Sequence, residues 1–272
     1  MKAEICIQVT NRQGSVVASA CGCGRTVLEF EHVYEEGDSI IIECSQTPGM
    51  FRLCLDDHVK DGVVWLSGHR MEYPIPLGAA HEAYAPEAFL GKAHVITADV
   101  LEIIPGAYGR ISENPLDRRG ETTYYPHCTA NAETRGEAVF AARNVIDGSL
   151  ENSSHGQWPY TSWGEDENPH AEIKIDFGRP VTVDAMALLI RADFPHDNYW
   201  ERVSAVFSDG STLTLQMKKT QKLQRFNFPE RTITWVKLKD FVRSDEPSPF
   251  PALTAWEVYG WYAKTARETE VV

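Results

Sequence analysis

Arg191, Asp193, His196 and Asp197 fall within seven residues of one another in the stretch RADFPHDNYW, residues 191–200, and Tyr199 and Trp200 follow directly. A guanidinium and carboxylates at this density suit vicinal hydroxyls, because a planar fork of donors matches paired oxygens. An indole or phenol ring suits the apolar C–H side of a pyranose. The same side chains support a second chemistry: His196 beside an acid could serve as a base, and Asp193 with Asp197, Glu133 or Glu137 could act as a hydrolytic acid pair.

Two further stretches carry candidate ligand-binding residues. NSSHGQWPYTSWGEDENPH (152–170) offers His155, Trp158 and Tyr160. YYPHCTANAETRGEAVF (124–140) contributes His127 and Arg135; it is too polar for a plain linker and lacks the apolar spacing of an amphipathic helix. His127, His155 and His196 could form a transition-metal site, although no H-x-H or H-E-x-x-H spacing supports one. SDEPSPFPAL (244–253) is a Pro-rich loop directly before the last strand pattern. No nucleophile elbow, phosphate loop or dinucleotide fingerprint is present.

The elements that must position these loops are strands. Period-2 alternation runs through EICIQVT, TVLEFEHVY, SIIIECS and MFRLCLD, and again through AEIKIDFG, VTVDAMALLIR and TITWVKLKDF, with turn signals between them. Asp209-Gly210 between two alternating runs marks a hairpin. The expected fold class is all-β, with two β-sandwich domains. Residues 1–104 form an N-terminal sandwich of unassigned role, 105–135 a linker or interface segment, 136–262 a second sandwich, and 263–272 a tail.

The second half resembles the discoidin, or galactose-binding-like, jelly-roll family that includes many bacterial carbohydrate-binding modules. The resemblance rests on ARNVIDG (142–148), Trp163, AEIKIDFGRPVTVDAMAL, the FSDG hairpin, TWVKL and ALTAWEVYG (252–260), in that order over residues 139–261. It implies two antiparallel sheets face to face, a ligand held by loops at one end, and binding without bond cleavage. Such modules often hold a structural calcium near the Asn-x-x-Asp-Gly loop and the last strand, for which Asp147 and Glu257 are the matching acids; no other cofactor is implied.

With 272 residues, 43% of them hydrophobic, the chain can bury a sizeable core. A net charge of −13 argues against nucleic-acid and anionic-membrane partners, which need a basic surface. Six cysteines, mostly inside apolar runs, read as buried reduced thiols; CGCG at 21–24 has no second pair to make it a metal site. The opening MKAEICIQVTNRQG lacks a signal-peptide core, so the sequence as it stands points to the cytoplasm, or to the extracellular space if a leader has been removed. The expected function is non-catalytic carbohydrate binding through the jelly-roll loops. An enzyme acting on a sugar with a His/Asp/Glu cluster, and a protein–protein adhesion or assembly domain, stay open as alternatives, as does a homo-oligomer.

Overall fold

The structure is a computed structural model that describes residues 3–104, 106–192 and 197–262. It separates into two compact units: residues 1–102 with 120–125, and residues 103–119 with 126–272. The segment expected as a linker is thus divided, with 120–125 in the first unit and its flanks in the second.

The first unit is built from β1 (Glu4–Thr10), β2 (Val16–Cys23), β3 (Arg25–Glu31), β4 (Ser39–Cys44), β5 (Gly49–Cys54), β6 (Gly62–Leu66), β7 (Arg70–Pro74) and β8 (Ala93–Leu101). The chain then passes through β9 (Tyr108–Arg110) of the second unit and returns with β10 (Tyr124–Tyr125). A four-stranded sheet runs β2-β1-β4-β7 and a five-stranded sheet β10-β6-β5-β8-β3. Alternation does the sorting: Ile5, Ile7 and Val9 of β1 are fully buried, whereas Cys6 and Gln8 between them face outward. Cys6 stands opposite Cys21 on the outer face and is disulfide-bonded to it. This corrects the expectation of buried reduced thiols: Cys44 and Cys128 are buried and free, but Cys23 is free and exposed. Spacing along one strand cannot show which residue lies across the ladder.

The second unit adds β11 (His127–Ala130), β12 (Trp163–Gly164), β13 (Ile173–Ile190), β14 (Asp197–Asn198), β15 (Trp200–Phe207), β16 (Thr212–Gln216), β17 (Gln224–Arg243) and β18 (Phe250–Trp261). β13 and β17 are long enough to serve both layers of a jelly roll. Early β13 pairs with β11 and late β17, and late β13 pairs with β18 and early β17. Register breaks between Asp176 and Val181, and between Val183 and Ala185, let the ladder fold over its own core. Trp163, Trp200, Trp256, Ile173, Ile175, Met186 and Leu188 meet there. β15 and β16 close through the Asp209-Gly210 turn, where Gly210 takes φ +85° and the Asp209 carboxylate accepts from the Ser211 N–H. Residues 138–140 and 142–146 form two short 3₁₀ turns. Among the described residues, no helix is long and apolar enough to cross a membrane.

Candidate functional site

Strand ends of the second unit surround an open cleft of about 160 Å³. Its walls come from the segment after β11 (Thr134, Arg135, Phe140), the turn after β12 (Gly164–Glu167), Arg191 after β13, and Pro249–Ala252 at the start of β18. Two of the residues expected from sequence, Arg135 and Arg191, are brought together here.

Arg191 is 4% exposed: its backbone N–H donates to the Ala252 carbonyl at 3.2 Å, and its guanidinium carbon lies 6.0 Å from the Phe140 ring centroid. Arg135 stands over the same ring at 5.2 Å. Arg135 takes φ +52° and donates through Nε and Nη2 to the two carboxylate oxygens of Glu137, at 2.6 and 2.7 Å. This fork holds the Glu137 carboxyl below its usual range. The Arg135 N–H also donates to Asp166 Oδ1 at 3.1 Å, tying the two wall segments together.

Glu165 is the most perturbed acid of the cleft. It is 5% exposed, and Oε2 accepts the Trp200 indole N–H at 3.0 Å. Burial pushes its pKa up to about 7, against the opposing pull of the Trp200 hydrogen bond and the Arg243 charge. Asp166 and Glu167 follow in left-handed backbone, φ +52° and +54°, a conformation that non-glycine residues adopt rarely and chiefly where surrounding contacts impose it. On the other wall Phe250 is 46% exposed and lies between Pro249 and Pro251, whose rings fix their own φ. Asn198 anchors this wall. Its side-chain amide donates to the carbonyls of Ser244, Glu246 and Ser248 at 3.3, 3.1 and 2.8 Å, and β14 pairs in parallel with Phe250 and Pro251.

Solved structures similar to this chain are carbohydrate-binding modules. Chitosan-binding module 1 of a chitosanase/glucanase from Paenibacillus sp. IK-5 is 20% identical with a TM-score of 0.40, over 56% of this chain and 99% of that one. A family 32 module of Clostridium perfringens, solved with GalNAc-β-1,3-galactose, is 18% identical with a TM-score of 0.37, over 48% and 92%. The family 32 module of C. perfringens NanJ, solved with galactose, is 14% identical with a TM-score of 0.37, over 48% and 91%. No protein-family model matches the chain, and no curated protein matches it in sequence.

The other expected site residues are distributed differently. Trp200 is 1% exposed, packed on Trp163 and Phe241, so it supports Glu165 from the core and presents no face for stacking. His127 is buried on β11, where Nδ1 lies 2.6 Å from Asp117 Oδ1; Asp117 Oδ2 accepts the Cys128 N–H, so the pair fastens the 111–119 segment to the sheet. His155 and Trp158 are exposed and Tyr160 is half-buried, but none of the three lines the cleft. Asp193 and His196 lie outside the described residues, as does the side chain of Asp197.

The calcium expectation does not fit the residues present. Asp147 Oδ1 accepts the Ser149 N–H at 2.7 Å, closing the Asn-x-x-Asp-Gly turn. Glu257 Oε1 lies 2.6 Å from Arg110 Nη1, and its Oε2 accepts from the Tyr259 hydroxyl. The Arg110 guanidinium also pairs with Glu113. The Arg110 guanidinium already stands against Glu257 and Glu113, where calcium would need six to eight oxygens. Among the described residues, no group of three or more His, Cys, Asp or Glu is placed to hold a metal ion.

Sequence reading missed Glu165, Phe140, Phe250 and Asn198. One signal was available: in SPFPAL an aromatic stands between two prolines at the first residue of β18, where the strand end leaves its ring exposed.

Proposed function

We propose that the second unit binds a carbohydrate in the cleft between Arg191, Glu165 and Phe250, without cleaving it. The observation that carries this reading is the exposed Phe250 ring facing a cleft that also holds a buried guanidinium and a buried carboxyl. The ring would cover the C–H face of a sugar, while Arg191 donates to hydroxyls and Glu165 accepts or, when protonated, donates. At about 160 Å³ the cleft is smaller than the roughly 300–1,000 Å³ of sites for drug-sized ligands, which suits one terminal ring better than a long chain. The Cys6–Cys21 disulfide supports work in an oxidising compartment.

A glycan array that includes chitosan oligosaccharides, galactose and GalNAc-β-1,3-galactose tests the reading. Binding lost in Arg191→Ala supports it; binding to no glycan refutes it and moves the account to an assembly domain. Glu165 favours one second reading: a buried carboxyl titrating near 7 is suited to act as a general acid on a glycosidic oxygen. Turnover of a glycoside panel that disappears in Glu165→Gln would establish that reading in place of simple binding.

A further inference from the structure

Glu165 lines the cleft as a buried acid with an incomplete set of partners. Its Oε2 accepts the Trp200 indole N–H, and among the described residues no other donor lies within hydrogen-bond distance of the carboxyl. An ionised carboxyl accepts at about four lone-pair sites, so one neutral N–H leaves a buried charge largely uncompensated. Three guanidiniums stand around the cleft, and each is engaged with another group. Arg135 forks onto Glu137, and Arg191 lies against Phe140. Arg243, opposite Trp200 on β17, is exposed and donates to the Pro249 carbonyl at 3.0 Å. Asp166 and Glu167 of the same turn add negative charge, and the Pro249–Ala252 wall adds none. Burial and the lack of an ion-pair partner therefore both favour the neutral acid, and at pH 7 about half of the Glu165 carboxyls hold a proton.

We infer, resting on the carbohydrate reading of the cleft, that Glu165 binds the sugar as a neutral carboxylic acid, donating its proton to an acceptor oxygen of the ring, so that glycan binding takes up a proton. A ring lying over the cleft removes the water that still reaches the carboxyl. Stripping water from an unpaired carboxylate costs several times what one sugar hydroxyl, donating to it, would return. The neutral acid loses far less on desolvation, and its O–H is a donor that a sugar oxygen can accept. Glu165 and Arg191 then act together as donors along one edge of the ring, while Phe250 covers its C–H face. Affinity should accordingly rise as pH falls through about 7.

Titration calorimetry of the full chain with galactose and GalNAc-β-1,3-galactose tests this, because both sugars are neutral at every pH used. Repeating the titration at pH 7 in phosphate and in imidazole, buffers of different ionisation heat, counts the protons exchanged. About half a proton should be taken up per sugar bound, since about half of the free carboxyls already carry one. From pH 5.5 to 8 the affinity of the wild type should fall by up to about tenfold, the limit for one proton and a pKa of about 7. Glu165→Gln keeps an acceptor for the Trp200 indole and an N–H donor toward the sugar, so it should hold the acid-pH affinity throughout. Subtracting its profile removes the contribution of every other titrating group. If that variant does not fold, the proton count on the wild type decides alone. Binding without proton uptake, binding with proton release, or the same pH profile in both proteins overturns the inference and leaves the carbohydrate reading standing. Binding of no glycan at any pH overturns both.

Discussion

Replacing Glu165 by glutamine should change how the stability of the second unit depends on pH. Burial raises the Glu165 pKa from 4.5 to about 7, so the folded protein holds this proton more tightly than the unfolded chain does. The resulting stabilisation is complete below about pH 4.5 and is lost as pH rises through about 7. A shift of roughly 2.5 units at about 1.4 kcal/mol each sets a ceiling of about 3 kcal/mol. Glutamine keeps an acceptor for the Trp200 indole and never ionises, so Glu165→Gln should show no such loss. Other titrating groups are common to both proteins and cancel in the difference. Between pH 4.5 and 8 the stability of Glu165→Gln relative to wild type should rise by up to about 3 kcal/mol. At about 2–4 °C per kcal/mol, that is about 6–12 °C in Tm. Scanning calorimetry of both proteins across this range measures it. Parallel Tm–pH curves would refute the reasoning.

Four other outcomes are expected. Arg110→Met leaves Glu257, 5% exposed, without its cation and should lower stability by about 2–4 kcal/mol, read by chemical unfolding; in the wild type, neither EDTA nor added calcium should move the Tm. Gly260→Ala would drive a Cβ into the Thr182 carbonyl oxygen and the Val183 Cα on the neighbouring strand, at a cost of about 3 kcal/mol and with visibly reduced soluble yield. Phe250→Ala removes an exposed ring, so calorimetric titration should show glycan affinity reduced by about tenfold to a hundredfold, for a stacking contribution of about 1–3 kcal/mol, with the Tm unchanged.

The strand framework was legible because alternation is a local property. Ile5-Cys6-Ile7-Gln8-Val9 announces its buried face within five residues, and Asp209-Gly210 announces a hairpin within two. The cleft was half legible. Arg135 and Arg191 stood out as charges in loops, but Glu165 looked like one acid among several in GEDEN; its burial depends on Trp200, thirty-five residues away. Trp200 misled for a related reason: it ends a polar loop in sequence, yet in space it is the first residue of β15 and faces Trp163. Contacts across the ladder were not legible at all. The Cys6–Cys21 bond and the Arg110–Glu257 pair depend on register, and Arg110 comes from a segment that composition alone marked as a linker.

A crystal structure of the protein with the strongest glycan from the array tests the central claim most directly. The account predicts a sugar ring lying on Phe250, with hydroxyls within hydrogen-bond distance of the Arg191 guanidinium and the Glu165 carboxyl. A sugar held instead against His155, Trp158 and Tyr160, with the cleft beside Phe250 empty, would contradict it.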